Sequence, residues 1–229
     1  TTQGDILYRD GSGLQRLAKG TAGQALKMNT AANAPEWGTI SSDCVKVASY
    51  DISGTVSDIN LDNIFTSDYR FYRLVYTGIG FDGAGSGSWM RIGFRTGGSS
   101  GANHGGTYYQ KYVEQYGDEG SKTDSQGHQS DSTGVQVMNT WNSQTSSSNS
   151  TYYSYYNSGY CDFYDPIQDD YKPSFLFQNQ WNDNNHIGWT VGLGYNNSKI
   201  STGGITGIRF NAENHNFNRG RIRVYGFKS

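Results

Sequence analysis

The chain is 229 residues long, enough to bury a sizeable core in one or two domains. Its 18 Lys and Arg against 20 Asp and Glu leave a net charge of −2, and only 17% of residues are charged. That balance carries no electrostatic footprint for nucleic acid or anionic lipid, and no run of 18 apolar residues is present to insert in a membrane, so neither partner is expected. Hydrophobic residues make up 34%, but aromatics reach 14%, with 18 Tyr and 5 Trp. Part of the aliphatic core is therefore expected to be replaced by Tyr, whose ring packs while its hydroxyl keeps a hydrogen bond. With 31 Gly and 3 Pro, the turns are of the kind that need positive φ rather than a fixed one.

In residues 1–40, three short apolar pieces, Ile6-Leu7-Tyr8, Leu14 to Leu17 and Ala25-Leu26, are separated by Asp10-Gly11, Ser12-Gly13, Lys19-Gly20 and Ala22-Gly23. Such pairs mark tight turns between strands. Each piece holds two or three apolar residues, too few for a core, so the segment is expected to borrow one from copies of itself. Three copies around an axis would hide Ile6, Leu7, Leu14, Leu17, Leu26 and Trp37, the residues expected at a homotrimer contact.

From residue 43 to 229 the pattern predicts short strands at Cys44 to Ile52, Thr55 to Leu61, Arg70 to Ile79, Ser88 to Thr96, Thr107 to Tyr116 and Gly134 to Trp141. Further strands are expected at Tyr152 to Tyr164, Ser174 to Gln180, Ile187 to Gly194, Gly204 to Asn211 and Gly220 to Phe227. Apolar alternation broken by Gly, Asn, Asp and Ser clusters reads as an all-β chain, with an antiparallel β-sandwich over residues 43–229. A brief helical turn is expected around Asp62 to Tyr69. The last strand should be interior, with Ile222, Val224 and Gly226 on the core face and Arg221, Arg223 and Tyr225 opposite. Three polar stretches, Gly97 to Gly106, Gly117 to Thr133 and Asn142 to Thr151, read as surface loops.

Residues 4–39 resemble the module GD-[IL]-L-x-x-[DG]-G … L-x-x-G-x-x-G-Q-x-L … W of bacteriophage tail-fibre and other virion fibre proteins. Gly4-Asp5, Gly20, Gly23-Gln24, Leu26 and Trp37 all fall in place. Asp68-Tyr69-Arg70-Phe71-Tyr72-Arg73-Leu74-Val75-Tyr76 is similar to a strand of the jelly-roll-like domain at the C-terminal end of such proteins. Ile205 to Phe210 and Gly220 to Gly226 are similar to its closing signature. The resemblance implies a turn-rich trimerising β module over residues 1–40 and a jelly-roll-like, receptor-facing sandwich over residues 43–229. It implies a subunit exposed on a virion that assembles in the host cytoplasm, with other tail or capsid proteins and a host surface polysaccharide as partners. Residues 97–171 match no family; in this one the middle loops are the changeable part.

Other motifs are weak. Gly78-Ile79-Gly80-Phe81-Asp82-Gly83 fits G-x-G-x-x-G, and Gly97-Gly98-Ser99-Ser100-Gly101 fits G-x-S-x-G, but each needs a helix next, and no helical sequence follows. Cys44 and Cys161 lack zinc spacing and read as buried free thiols; His104, His128, His186 and His215 are isolated. The acidic stretch Asp162 to Asp170 lacks the Gly and Glu of a calcium loop and reads as a solvated turn. No cofactor, metal or catalytic residue is expected. A saccharide presents an apolar C–H face and a ring of hydroxyls, so its site needs an aromatic beside amides or carboxylates. Trp181 and Asp183 are the first candidates, because polar residues follow Trp181 directly and argue for a loop. Trp141, Asn142 and Tyr156 come next, whereas Trp189 reads as packing. The expected function is attachment of a phage fibre or spike to a host glycan. A decoration protein of capsid or tail with no ligand of its own is the alternative, and a carbohydrate-active enzyme or binding module a weaker one.

Overall fold

The computed structural model describes residues 2–40, 42–82, 88–118, 121–140, 157–182, 187–200 and 203–228. The chain divides into two compact units, Thr1–Asp43 and Cys44–Ser229. Both are built from strands.

The first unit contains β1 (Ile6–Asp10), β2 (Gly13–Leu17), β3 (Gln24–Met28) and β4 (Pro35–Thr39), paired antiparallel as β1-β2 and β3-β4. Its polar residues close its turns. Asp10 Oδ1 accepts the backbone N–H groups of Ser12 and Gly13 at 2.8 and 3.0 Å, and Gln24 Oε1 accepts that of Thr21 at 2.8 Å. The Asp5 carboxylate accepts the N–H of Thr2, Arg16 Nε at 2.7 Å and the N–H of Lys19 at 3.2 Å, which holds its pKa well below the usual carboxylate range. Trp37 donates Nε1–H to the Ala18 carbonyl at 2.6 Å and lies so close to Gly20 that a Cβ there would stand 2.7 Å from the indole. None of the described residues of this unit is buried.

The second unit continues with β5 (Cys44–Val56), β6 (Asp58–Leu61), β7 (Phe71–Phe81), β8 (Ser88–Thr96), β9 (Ala102–Asn103), β10 (Tyr108–Asp118) and β11 (Ser121–Asp131). It closes with β12 (Val135–Thr140), β13 (Asn157–Tyr164), β14 (Ser174–Asn182), β15 (Ile187–Asn196), β16 (Gly207–Glu213) and β17 (Phe217–Phe227). One sheet has the order β11-β10-β15-β14-β13-β7-β17-β5 and the other β12-β8-β16-β6, with β9 beside β8. All pairings are antiparallel. The strands β5-β17-β7-β13 and β6-β16-β8-β12 have jelly-roll order, the chain crossing from one sheet to the other between β5 and β6, β6 and β7, β7 and β8, β12 and β13, and β16 and β17. The strands β14, β15, β10 and β11 widen the first sheet from four to eight.

Period-2 alternation puts Tyr72, Leu74 and Tyr76 of β7, Phe163 of β13, Phe175 and Phe177 of β14, and Ile222 and Val224 of β17 inside. Facing them are Met90, Ile92, Phe94, Ile208 and Phe210. Each buried Tyr keeps a partner for its hydroxyl. Tyr72 donates to the Thr66 carbonyl at 2.8 Å and accepts its N–H at 2.7 Å; Tyr108 donates to the His104 carbonyl and accepts the Phe94 N–H, both at 3.0 Å. The terminal strand β17 is interior, between β7 and β5, with Ile222, Val224 and Gly226 buried.

Three expectations are corrected. Residues 62–69 form no helical turn, because the N–H groups of Ile64 and Phe65 both go to the Thr206 carbonyl and Tyr72 occupies Thr66. Among the described residues the one helical turn is the 3-10 turn Gly98–Ser100. The polar stretch Gly117 to Thr133 contains β11, an edge strand whose described side chains from 126 to 130 are largely exposed; a strand open on both faces needs no apolar alternation. Cys44 is exposed, while Cys161 is buried, and burial pushes its thiol pKa up.

Asp58 of β6 accepts Arg209 Nε at 2.6 Å and Asn211 Nδ2 at 3.0 Å. Partial burial alone would raise its carboxyl, but these donors outweigh it and leave the pKa below the ordinary 3.8. A carboxyl depressed in the folded state contributes stability above its unfolded value and loses it as pH falls through the folded one. Melting temperature should therefore drop as pH falls below 3.8. Asp58→Asn should lower stability at neutral pH and flatten the acid limb of a calorimetric pH series.

Candidate functional site

The four strands that widen the large sheet build the site. In β15 (Ile187-Gly-Trp-Thr-Val-Gly-Leu-Gly-Tyr-Asn196) the inward positions include Gly188, Gly192 and Gly194. A Cβ at these three glycines would stand 2.3 Å from Trp181, 2.4 Å from Phe177 and 2.7 Å from Val135. The glycines make room for the large inward side chains of β14 and for the edge strand β12, which packs on β14, β15 and β10.

This packing reverses the expected roles of two tryptophans. Trp181 lies in β14, not in a loop, in the same phase as Phe175 and Phe177, and only 4% of it is exposed. A ring so covered offers no face to a ligand from solvent. Trp189 points outward, 37% exposed, and donates Nε1–H to Gln115 Oε1 at 3.3 Å. Asp183, Trp141, Asn142 and Tyr156 lie outside the described residues.

Two surfaces remain on this side of the unit. The outer face of the large sheet exposes Leu176, Trp189, Val191, Leu193 and Val113 on the adjacent strands β14, β15 and β10. The register places Gln178 beside Val191 and Val113 beside it on the far side. Tyr195, Tyr109 and His128 continue this face as a ladder, with ring centroids 5.3 and 5.5 Å apart.

The second surface is a cleft of about 330 Å³ along the β12 edge, where β12 and β8 meet the β10–β11 pair. Trp89, Arg91, Gln110, Gln129, Asp131 and Gln136 line it. Arg91, 8% exposed, bridges Asp131 at 3.0 Å and Glu213, and its guanidinium carbon stands 5.6 Å over the Trp89 ring. Gln110, 5% exposed, donates Nε2–H to Gln129 Oε1 at 2.8 Å. Among the described residues nothing hydrogen-bonds Arg91 Nε or Gln110 Oε1. Leaving a buried donor or acceptor unmade costs about 1–3 kcal/mol. Both residues line the cleft, but the two unmet atoms themselves are covered. Sequence reasoning named none of these residues; the signal available was Gln110, in the same phase of β10 as the buried Tyr108.

Elsewhere the acidic residues are individually engaged. Asp162 pairs with Arg73, Asp165 with Arg70 and Asp170 with Lys199, and Asp169 accepts the N–H of Gly204. Among the described residues, no three His, Cys, Asp or Glu side chains converge as a metal site would require. No protein-family model, curated protein or solved structure matches the chain.

Trp181→Ala should cost about 3–5 kcal/mol of stability in denaturant unfolding, as expected for a core Trp. Trp189→Ala should cost less than about 1 kcal/mol, since the side chain is already exposed. Equal costs would overturn the inward and outward assignment.

Proposed function

We propose that the chain is a subunit of a bacteriophage virion fibre or spike, assembled as a homotrimer, whose sandwich attaches to a glycan of the host surface. The observation that carries this reading is the contrast between the two units. The sandwich has a continuous buried core, whereas no described residue of the N-terminal unit is buried. Leu14 is 78% exposed, and Leu7, Leu26 and Met28 are exposed too. A segment with well-closed turns and uncovered leucines is folded for assembly rather than for independence.

The residues that carry the fibre resemblance fit that role. Asp5, Gly20, Gln24 and Trp37 tie turns within one copy, which leaves Leu7, Leu14 and Leu26 for contact between copies. Ile6, Leu17 and Trp37 are already half covered in the single chain, so their share of the contact is smaller. The aliphatic outer face of the large sheet supplies further surface of the kind that assembly covers.

Sedimentation equilibrium of the intact chain should give a trimer at micromolar concentration, and Leu7→Ser with Leu14→Ser should shift it toward monomer. A monomeric wild type would remove the trimer. Antibody labelling of intact virions in electron micrographs should place the sandwich at a distal tip. An embedded position would favour the decoration reading instead.

A further inference from the structure

We infer that the outer face of the large sheet at β14, β15 and β10 is an interface between copies of this chain, covered by the same face of the other protomers. This rests on the trimer reading and assigns to the sandwich its own share of the contact.

The exposed apolar side chains are gathered rather than scattered. Among the described residues of the second unit seven large hydrophobic side chains are exposed, and six of them, Val113, Leu176, Ile187, Trp189, Val191 and Leu193, lie on this face. The register makes them one patch. Ile187, Trp189, Val191 and Leu193 run down β15, with Leu176 beside Leu193 on one flank and Val113 beside Val191 on the other. Contiguous exposed apolar surface of this kind marks a contact.

Charge and size point to what covers it. Lys111 is the one charged residue among the described outward positions of the three strands, so a second copy brings no field of like charges against the first. Gln178 and Gln180 flank the patch on β14, beside Val191 and Trp189, and Gln115 flanks it on β10. Three such faces around one axis bring the β14 flank of one copy to the β10 flank of the next, where amides, which donate and accept, meet amides. A stable contact between free proteins takes about 800 Å² from each partner, roughly 20–30 residues. A patch of six partly exposed side chains falls short of that, so it suits a partner already held nearby rather than one captured from solution. Copies joined through their N-terminal leucines meet this condition, because tethering raises the effective concentration.

The test is sedimentation equilibrium of the intact chain carrying Val191→Glu, with Thr77→Glu as control. Both residues are exposed on the large sheet, Val191 inside the patch and Thr77 on β7, three strands from β15. Val191→Glu places an unpaired carboxylate from every copy in one contact and should raise the trimer's dissociation constant about a hundredfold, while Thr77→Glu should change it less than about twofold. Hydroxyl-radical footprinting reads the same face without a substitution, and carries the test if Val191→Glu does not fold. Oxidation of Trp189, Val191 and Leu193 should be at least about fivefold slower in the wild-type trimer than in the monomer obtained by dilution. A dissociation constant unchanged by Val191→Glu, equal losses from both variants, or a patch oxidised as fast in trimer as in monomer overturns the inference and leaves the trimer standing. A wild type that sediments as a monomer overturns both.

Discussion

The sandwich depends on a continuous chain of aromatic contacts between its sheets. Phe65 packs on Tyr72 and Phe163 at centroid distances of 4.7 and 5.2 Å, and Phe163 stacks on Phe175 at 5.0 Å. Phe175 meets Phe94 edge-on at 5.7 Å, and Phe94 meets Tyr108 at 5.6 Å. Three of these rings, Tyr72, Phe163 and Phe94, belong to jelly-roll strands, while Phe175 and Tyr108 belong to the strands that widen the large sheet. The same rings that join the two layers therefore also anchor the additions. Such pairs contribute about 0.5–1.5 kcal/mol each beyond their buried area. A chain with few aliphatic residues and 18 Tyr needs this layer, since no run of leucines is available to replace it.

Strand phase was legible wherever both faces of a strand differ. Ile222 and Val224 against Arg221 and Arg223 gave the core side of β17, and Tyr72, Leu74 and Tyr76 that of β7. Legibility failed where burial and polarity part company. β11 is an edge strand with few apolar side chains, so its Ser, Gln and Asp residues read as a loop although they pair with β10 along its whole length. Trp181 misleads through its neighbours: the polar residues after it argue for a loop, whereas the odd-numbered phase it shares with Phe175 and Phe177 puts it inside. β15 held the complementary signal. Its glycines at 188, 192 and 194 occupy the inward phase, which leaves the outward phase to Trp189, Val191 and Leu193.

In the N-terminal unit the residues that close the turns and the exposed leucines are different sets. Asp5 and Gln24 satisfy backbone N–H groups, and Gly20 is small because Trp37 lies against it. Those needs are met inside one copy and fix the residue types strictly.

The site follows from the way the sheet was widened. Adding β10 and β11 beyond β15 carries the large sheet out to the edge strand β12 of the other sheet, which packs on β14, β15 and β10. Gln110 and Gln129 lie on the β10–β11 side of the cleft, and Arg91 and Gln136 on the β8–β12 side. An aliphatic residue at position 110 would bury as well and leave nothing unmet. The amide's cost is offset in part by the bond it donates to Gln129. Gln110, Gln129 and Asp131, from the polar middle of the chain, thus build one wall of the cleft, and Trp89, Arg91 and Gln136 the other.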